Sequence, residues 1–289
     1  MAPPHPALSP TGARVWVWRN IVHTDKNRKV SNGTAYSGAN MPHNLPKTCI
    51  VVPCHNEADR LQSHEVVEYL RKNAWLHMCF VDDGSTDETI RVLTSIRDKC
   101  PGRVSVISLG ENIGKAETVR AGIVNCMKIH PDFVGYMDAD MATPLHEIEE
   151  ILEFAKKFDN AVVFVGCRLK RLGAIIERKW WRHYLGRIFA TAASLVLDLP
   201  VYDTQCGAKF FRLGIASEIF SERFLSRWFF DVEIFARVTK VIGKDKAVKQ
   251  IVEVPLLEWR DKEGSKLVIR QYLIALIDLL RIFLAYRKR

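Results

Sequence analysis

The chain has 289 residues, 48% of them hydrophobic, with 42 Lys and Arg against 33 Asp and Glu for a formal net charge of +9. That length can bury one large core with appendages, and that apolar share suits a globular fold rather than a disordered chain. The cationic excess favours anionic partners: phosphate-bearing substrates, anionic lipid or nucleic acid. Seven cysteines, odd in number and without a CxxC pair, read as reduced core thiols in a cytosolic setting, not as a disulfide frame or zinc site. The chain opens without an apolar signal region. Its longest uncharged apolar run, 188–197, is ten residues, too short to cross a bilayer.

Residues 1–46 are rich in Pro, Ser, Asn, Gly and His without a period, and are expected to form a disordered tail. Met41 is an alternative start to Met1. From Thr48 the pattern changes. TCIVVPC is a short apolar run, hence a buried strand. NEADRLQSHEVVEYLRKN has helical spacing, and LHMCFVDD is a second strand. STDETIRVLTSIRDKC reads as a helix with Ser85 and Glu88 as a capping box. RVSVISL is a third strand, AETVRAGIVNCMKI a helix, and DFVGYMDAD a fourth strand. PLHEIEEILEFAKKF is another helix and AVVFVGC another strand. DTQCGAKFFR reads as a loop entering a strand, RWFFDVEIFARVTKVI as a helix, and VKQIVEVPLLEW as a strand. Closely alternating strands and helices predict an α/β fold with a mostly parallel central sheet flanked by helices. Ligands of such sheets bind beyond the carboxyl ends of the strands. Polar clusters HNEAD, DDGSTD, ENIGK and DADMAT stand at those ends.

Asp138 and Asp140 end the fourth strand two residues apart. Side chains at i and i+2 of an extended segment point the same way, so two carboxylates there call for a cation. Oxygen-only ligation suits Mg2+ or Mn2+ carrying substrate phosphate. The plainer reading is a solvated Asp-rich turn. A phosphatase of the DxDx(T/V) type fits less well: Ala142 stands where its Thr belongs, with Thr143 one residue late. Pro53 ends the first strand, and Glu57 follows in the first turn. Asp82 and Asp83 end the second strand, where a carboxylate can accept a pyrimidine N–H, and Gly84 permits a sharp turn. Gly114 and Lys115 open a helix, where Lys and free N–H groups can neutralise phosphate.

Taken in order, VVPCHNEADRL, FVDDGSTDET, NIGKAETVRAG, DADMATP, DTQCGAKFFR, RWFFDVEIFAR and EVPLLEWRDKEGSKL resemble a family 2 inverting glycosyltransferase of GT-A fold. The nearest branch is the polyprenyl-phosphate (dolichyl-phosphate) glucosyl- and mannosyltransferases. The resemblance covers about residues 48–278. It implies transfer of one hexose, glucose by the DTQCG and EGSKL stretches, from a UDP-sugar to polyprenyl phosphate with Mg2+ or Mn2+. By position, Pro53, Glu57, Asp82, Asp83 and Lys115 would hold the nucleotide. Asp138 and Asp140 would bind the metal, with Arg260 and Lys266 at the diphosphate. Asp203 would be the base candidate, either activating or orienting the acceptor. Arg168, Arg182, Trp228, Asp231 and Glu233 would line the acceptor pocket. Ala116 and Ala142 depart from the family pattern. Phe224 replaces the Gln of QxxRW, which disfavours polymer synthesis.

Basic residues Arg168, Arg182 and Arg187 lie near Trp180 and Trp181 in the stretch 168–187. Arg binds phosphate and Trp settles at headgroup depth. In the closing helix Lys266, Arg270, Gln271, Asp278, Arg281 and Lys288 share one arc, against Leu, Ile and Phe elsewhere, as in an interfacial helix. The expected organisation is a tail over 1–46, a catalytic domain over 47–265 and a basic amphipathic helix over 266–289, held peripherally on anionic lipid at the cytoplasmic face of a membrane. A solvated basic helix, or packing on the protein's own core, accounts for the same pattern. A soluble or protein acceptor is the alternative enzyme reading, and a catalytically inactive membrane-surface protein the alternative class. No motif that reads nucleic acid is present.

Overall fold

A computed structural model describes residues 44–177, 180–261 and 269–287. The expected tail up to residue 43, and the first residues of the expected closing helix including Lys266, lie outside the described residues. Strand β1 (Thr48–Cys54) is the axis of the sheet. It pairs in parallel with β2 (Leu76–Asp82), Thr48 opposite Leu76 and Cys54 opposite Asp82, so the two strands end level. Strand β3 (Val104–Ser108) lies outside β2, and β4 (Phe133–Tyr136) lies on the other side of β1. Beyond these come β5 (Val163–Cys167), β7 (Lys209–Arg212) and β8 (Ile251–Pro255). Among the described residues the sheet order is β3-β2-β1-β4-β7-β5-β8. The mostly parallel α/β sheet is as expected.

β7 is the exception: it runs antiparallel to both β4 and β5. Its first residue, Lys209, stands opposite Tyr136, the last residue of β4. The loop before β7 therefore arrives at the same rim as the ends of the parallel strands. That reversal is how 203–208 reaches the polar clusters.

Helices α1 (Ser63–Lys72), α2 (Thr89–Lys99) and α4 (Glu147–Ala155) bury their apolar stripes on one face of the sheet. On the other face lie α3 (Lys115–Cys126), α6 (Leu213–Ile219), α7 (Phe230–Ile242) and α8 (Lys244–Gln250). α3 sits close to the sheet because Gly122 has no Cβ; one there would overlap the Val51 side chain. α5 (Trp180–Leu197) and α9 (Ile269–Tyr286) pack on α7 through Phe189, Ala193, Val232, Ala236, Ala275 and Leu279. A short parallel ribbon joins β6 (Ile175–Glu177) to β9 (Glu258–Arg260).

Local expectations needed four corrections. The first helix begins only at Ser63, because 56–62 is bonded into a turn with 85–89. The capping box is not made: Ser85 Oγ accepts from Asn56 N, and Asp87 instead accepts from Thr89 N at 3.0 Å. The stretch 248–259, read as one strand, divides among α8, β8 and β9. Cys49 and Cys126 are joined as a disulfide between β1 and α3, against the all-thiol expectation; the other five cysteines are free and buried.

Candidate active site

The carboxyl ends of β1, β2 and β4 and the start of β7 meet at one rim. Three loops are laced together there. Asn56 Oδ1 accepts from Thr86 N at 2.8 Å, Glu57 N donates to Thr89 Oγ1 at 2.8 Å, and His55 Nδ1 lies 2.8 Å from Asp83 O. Asp83 accepts from Ile113 N and Gly114 N at 2.8 and 3.0 Å. It thereby fixes the loop that delivers Lys115. Asp82 is buried beside it and accepts from Ser85 N at 3.3 Å and Ser108 Oγ at 3.4 Å.

Lys115 Nζ meets Asp138 Oδ1 at 2.5 Å. Burial opposes the Asp138 charge, but Lys115, then Lys209 and Arg168, hold this carboxyl below its usual range. Asp140 is pushed the other way, by burial and by the charge of Asp138. Its Oδ1 accepts from Ala142 N at 3.0 Å. Gly207 lies directly against Asp138: a Cβ there would overlap the carboxylate. So the corner holds one carboxylate kept ionised by amines and a second resisting ionisation beside it. A divalent cation would relieve that repulsion, and two carboxylates with open positions suit a hard ion that shares its shell with phosphate. Among the described residues no cluster of three or more His, Cys, Asp or Glu could hold a metal.

Asp203 sits at 7% exposure on the loop before β7. Arg168 grips it with two parallel bonds, Nε to Oδ2 at 2.7 Å and Nη2 to Oδ1 at 2.8 Å, and Arg168 N adds a third at 3.1 Å. The Arg168 guanidinium lies over Trp259, 5.3 Å from the ring centre. Glu253 holds the loop backbone by accepting from Tyr202 N and Asp203 N. On the far side, Arg260 N donates to Ala142 O at 2.9 Å, which ties β9 to the segment after Asp140. Glu147 steadies that ribbon by accepting from Leu257 N and Glu258 N at 2.9 and 2.6 Å. Burial pushes the Glu147 carboxyl up to about 7.

The sequence profile of Glycosyl transferase family 2 matches residues 49–220. This chain is a family 2 glycosyltransferase. The transferase is 30% identical over 253 residues to a dolichyl-phosphate beta-glucosyltransferase of Trichomonas vaginalis, covering 83% of this chain and 72% of that one. It is 31% identical to the Homo sapiens dolichyl-phosphate beta-glucosyltransferase, over 76% of this chain and 69% of that one. In fold it is similar to glucosyl-3-phosphoglycerate synthase from Mycobacterium tuberculosis in complex with UDP, with a TM-score of 0.61, 14% identity, and 83% and 80% of the two chains covered. The same synthase with Mn2+, UDP and glucosyl-3-phosphoglycerate aligns at a TM-score of 0.60.

Of the residues expected at the transferase site, Pro53, Glu57, Asp82, Asp83, Lys115, Asp138, Asp140, Arg168, Asp203 and Arg260 come to this rim or to the loops that build it. Trp228 lies 53% exposed just before α7. Asp231 and Glu233 are buried and paired within the protein. Asp231 is buried and accepts from Lys209 Nζ and Tyr136 OH. Glu233 is fully buried, where it takes Arg237, Tyr286 OH and Leu225 N. α7 packs between the sheet-side core and the α5–α9 cluster, so both acids, expected to line the acceptor pocket, have their partners inside the protein. Asp278, expected in a solvated arc, is buried and accepts from Ser226 Oγ at 2.6 Å. Arg182 lies on α5, and its side chain falls outside the described part.

Sequence reasoning missed three residues. Arg60 forms a double bond pattern to Glu57, both contacts at 2.7 Å, and Asp140 lies within its field. Its i,i+3 spacing from Glu57 was the available signal. Glu253 and Lys209 gave none, since each reads as an outward residue of a strand.

Proposed function

We propose that the enzyme transfers a single glucose from a UDP-sugar to a polyprenyl phosphate, with inversion at the sugar, at a membrane surface. The observation that carries this is the Asp138–Asp140 corner bracketed by Lys115, Arg60, Arg168 and Lys209. Two carboxylates among four cations suit a metal-bound diphosphate in transit. The relatives' names support glucose and a polyprenyl phosphate as donor sugar and acceptor class. Two of the fold neighbours, crystallised with Mn2+ and UDP, support a divalent ion and a uridine nucleotide.

In this reading Asp138 and Asp140 hold Mg2+ or Mn2+, which stabilises negative charge developing on the departing diphosphate. Lys115 and Arg60 face the same phosphates, while Pro53, Glu57, Asp82 and Asp83 shape the nucleotide seat. Arg260, on β9, and Lys266 complete the proposed contacts to the diphosphate. A phosphate acceptor is already an anion, so it needs alignment more than deprotonation. Asp203 with Arg168 fits that need. Both carboxylate oxygens accept from the guanidinium, so Asp203 orients Arg168 and Arg168 receives the acceptor phosphate.

The outer faces of α5 and α9 are the proposed membrane contact. α5 exposes Tyr184, Ile188 and Leu195, and α9 exposes Ile277, Leu280 and Leu284. α5 contains no acid, and the single acid of α9, Asp278, points inward. Arg281 adds positive charge beside the apolar stripe. An apolar, acid-free, basic face suits anionic headgroups. Among the described residues no helix is long and apolar enough to cross a bilayer.

Purified enzyme incubated with labelled UDP-glucose, UDP-GlcNAc or GDP-mannose and polyprenyl phosphate tests the assignment. Label should enter the organic phase from UDP-glucose, and only with Mg2+ or Mn2+ present. Transfer to a soluble phosphate acceptor in place of the lipid would overturn the acceptor. Transfer from GDP-mannose alone would overturn the donor.

A further inference from the structure

Lys209 is fully buried. Its ammonium donates to Cys206 O at 2.7 Å and to Asp231 Oδ1 at 2.5 Å. The same carboxylate oxygen accepts from the hydroxyl of Tyr136, which is fully buried as well. The ammonium also lies 5.5 Å from the centre of the Tyr136 ring. Three segments therefore meet on one cation. Tyr136 ends β4, just before Asp138. Cys206 belongs to the loop that begins at Asp203, and its neighbour Gly207 lies against the Asp138 carboxylate. Asp231 stands at the head of α7, beyond the exposed Trp228.

Stability does not account for this arrangement. Two buried charges lose more hydration than their attraction returns unless every partner is in place, and apolar replacement of such pairs is often neutral or stabilising. An ion pair with fixed hydrogen-bond partners does supply direction, because few packings satisfy all of them at once. Sugar transfer needs that direction, since the leaving diphosphate and the incoming oxygen must lie in line. The carboxylate corner and the Asp203 loop carry those two ends in the reading above.

We propose that Lys209 is a positioning residue: with Asp231 and Tyr136 it sets the 203–207 loop and the head of α7 against the Asp138–Asp140 corner, and so aligns the two halves of the transferase site. The inference rests on the roles given above to Asp138 and Asp203, but its test does not depend on them alone.

The test compares native enzyme with the triple variant K209M/D231L/Y136F, which removes all three polar groups at similar volume. The expected thermal midpoint stays near or above native, while kcat falls about 100-fold, the loss a small misplacement causes. Donor KM is expected to change by no more than about threefold, the mark of an alignment defect rather than lost binding. Hydrogen exchange at the Asp203 and Gln205 amides should quicken about tenfold, as local opening becomes easier. Native kcat in the folded variant, or unchanged exchange across 203–207, overturns the proposal. Should the triple variant fail to fold, Asp231→Asn, which keeps shape and an acceptor for Tyr136, must show the same kcat loss at native fold; native kcat there overturns it equally. If native enzyme transfers nothing from UDP-glucose to polyprenyl phosphate, the substrate reading fails, and the exchange measurement still decides the role of Lys209.

Discussion

The two halves of the site handle charge in opposite ways. In the half built from β1, β2 and β4, Asp82 and Asp83 are buried under backbone donors, while Arg60, Lys115 and Asp138 stay partly open at the strand ends. In the half built from the 203–208 loop and α7, the charges are buried and paired: Lys209 with Asp231, and Glu233 with Arg237. The first half is arranged to receive charge from outside. The second pairs its charges with each other, Arg168 with Asp203 included, and that pair stands nearest the rim. A charged residue after a parallel strand is therefore a sound pointer to a ligand, and one inside an apolar helix is a poor one.

The sharpest way to break that contrast is Asp138→Asn. It should lower transferase turnover about 1,000-fold, with little change in thermal midpoint, because a rim charge serves the transition state rather than the core. Turnover above a tenth of native would remove the receiving role of the first half. Next comes the pair at the boundary. Asp203→Asn and Arg168→Lys should each cost about 100-fold in turnover, and together hardly more than either alone, since each acts through the other. Additive losses would mean that Asp203 works independently, as a base would.

For the second half the expectation reverses. Arg237→Ala leaves the fully buried Glu233 without its guanidinium, which should cost about 3 kcal/mol or more of unfolding free energy. Donor KM should stay near native in variant that remains folded, and urea unfolding beside initial rates would measure both. A smaller effect concerns Glu147. Its folded carboxyl titrates near 7, above the ordinary Glu range in the unfolded chain. The folded state then binds more protons, so this residue favours folding at low pH, and that contribution is lost as pH rises towards about 7. Glu147→Gln should flatten the fall of the urea midpoint over that window; an unchanged profile would assign the slope elsewhere. The smallest expected change in stability belongs to the surface. Ile188→Glu with Leu280→Glu should shift unfolding by about 0.5 kcal/mol or less, yet abolish sedimentation with anionic vesicles.

What was legible in the sequence follows from the same contrast. Strands β1, β2, β4 and β5 are short apolar runs with polar ends, so their type, order and rim could be read. So could the meeting of the clusters that hold Asp82, Lys115 and Asp138; Asp203 entered only through the family resemblance. The reversal of β7 could not be read, because KFFR has the same composition in either direction and only its pairing with β4 and β5 fixes it. The fate of Asp231 was also hidden, because its partners Tyr136 and Lys209 are distant in sequence; for Glu233 only Arg237, four residues on, was a local signal, and Tyr286 was not. Arg60 is legible only once Glu57 is known to lie in a turn, where i,i+3 spacing brings the two side chains together.

The reversed strand has a practical consequence. Because β7 enters from the rim, the segment between the end of α5 and Lys209 forms a wall beside the carboxylate corner, tied to the sheet through Arg168, Glu253, Lys209 and the Gly166 N to Ala208 O bond. A change of sequence in that wall therefore reaches the Asp138 carboxylate through Gly207, so a graft there keeps the corner intact only if Gly207, Lys209 and its partners travel with it.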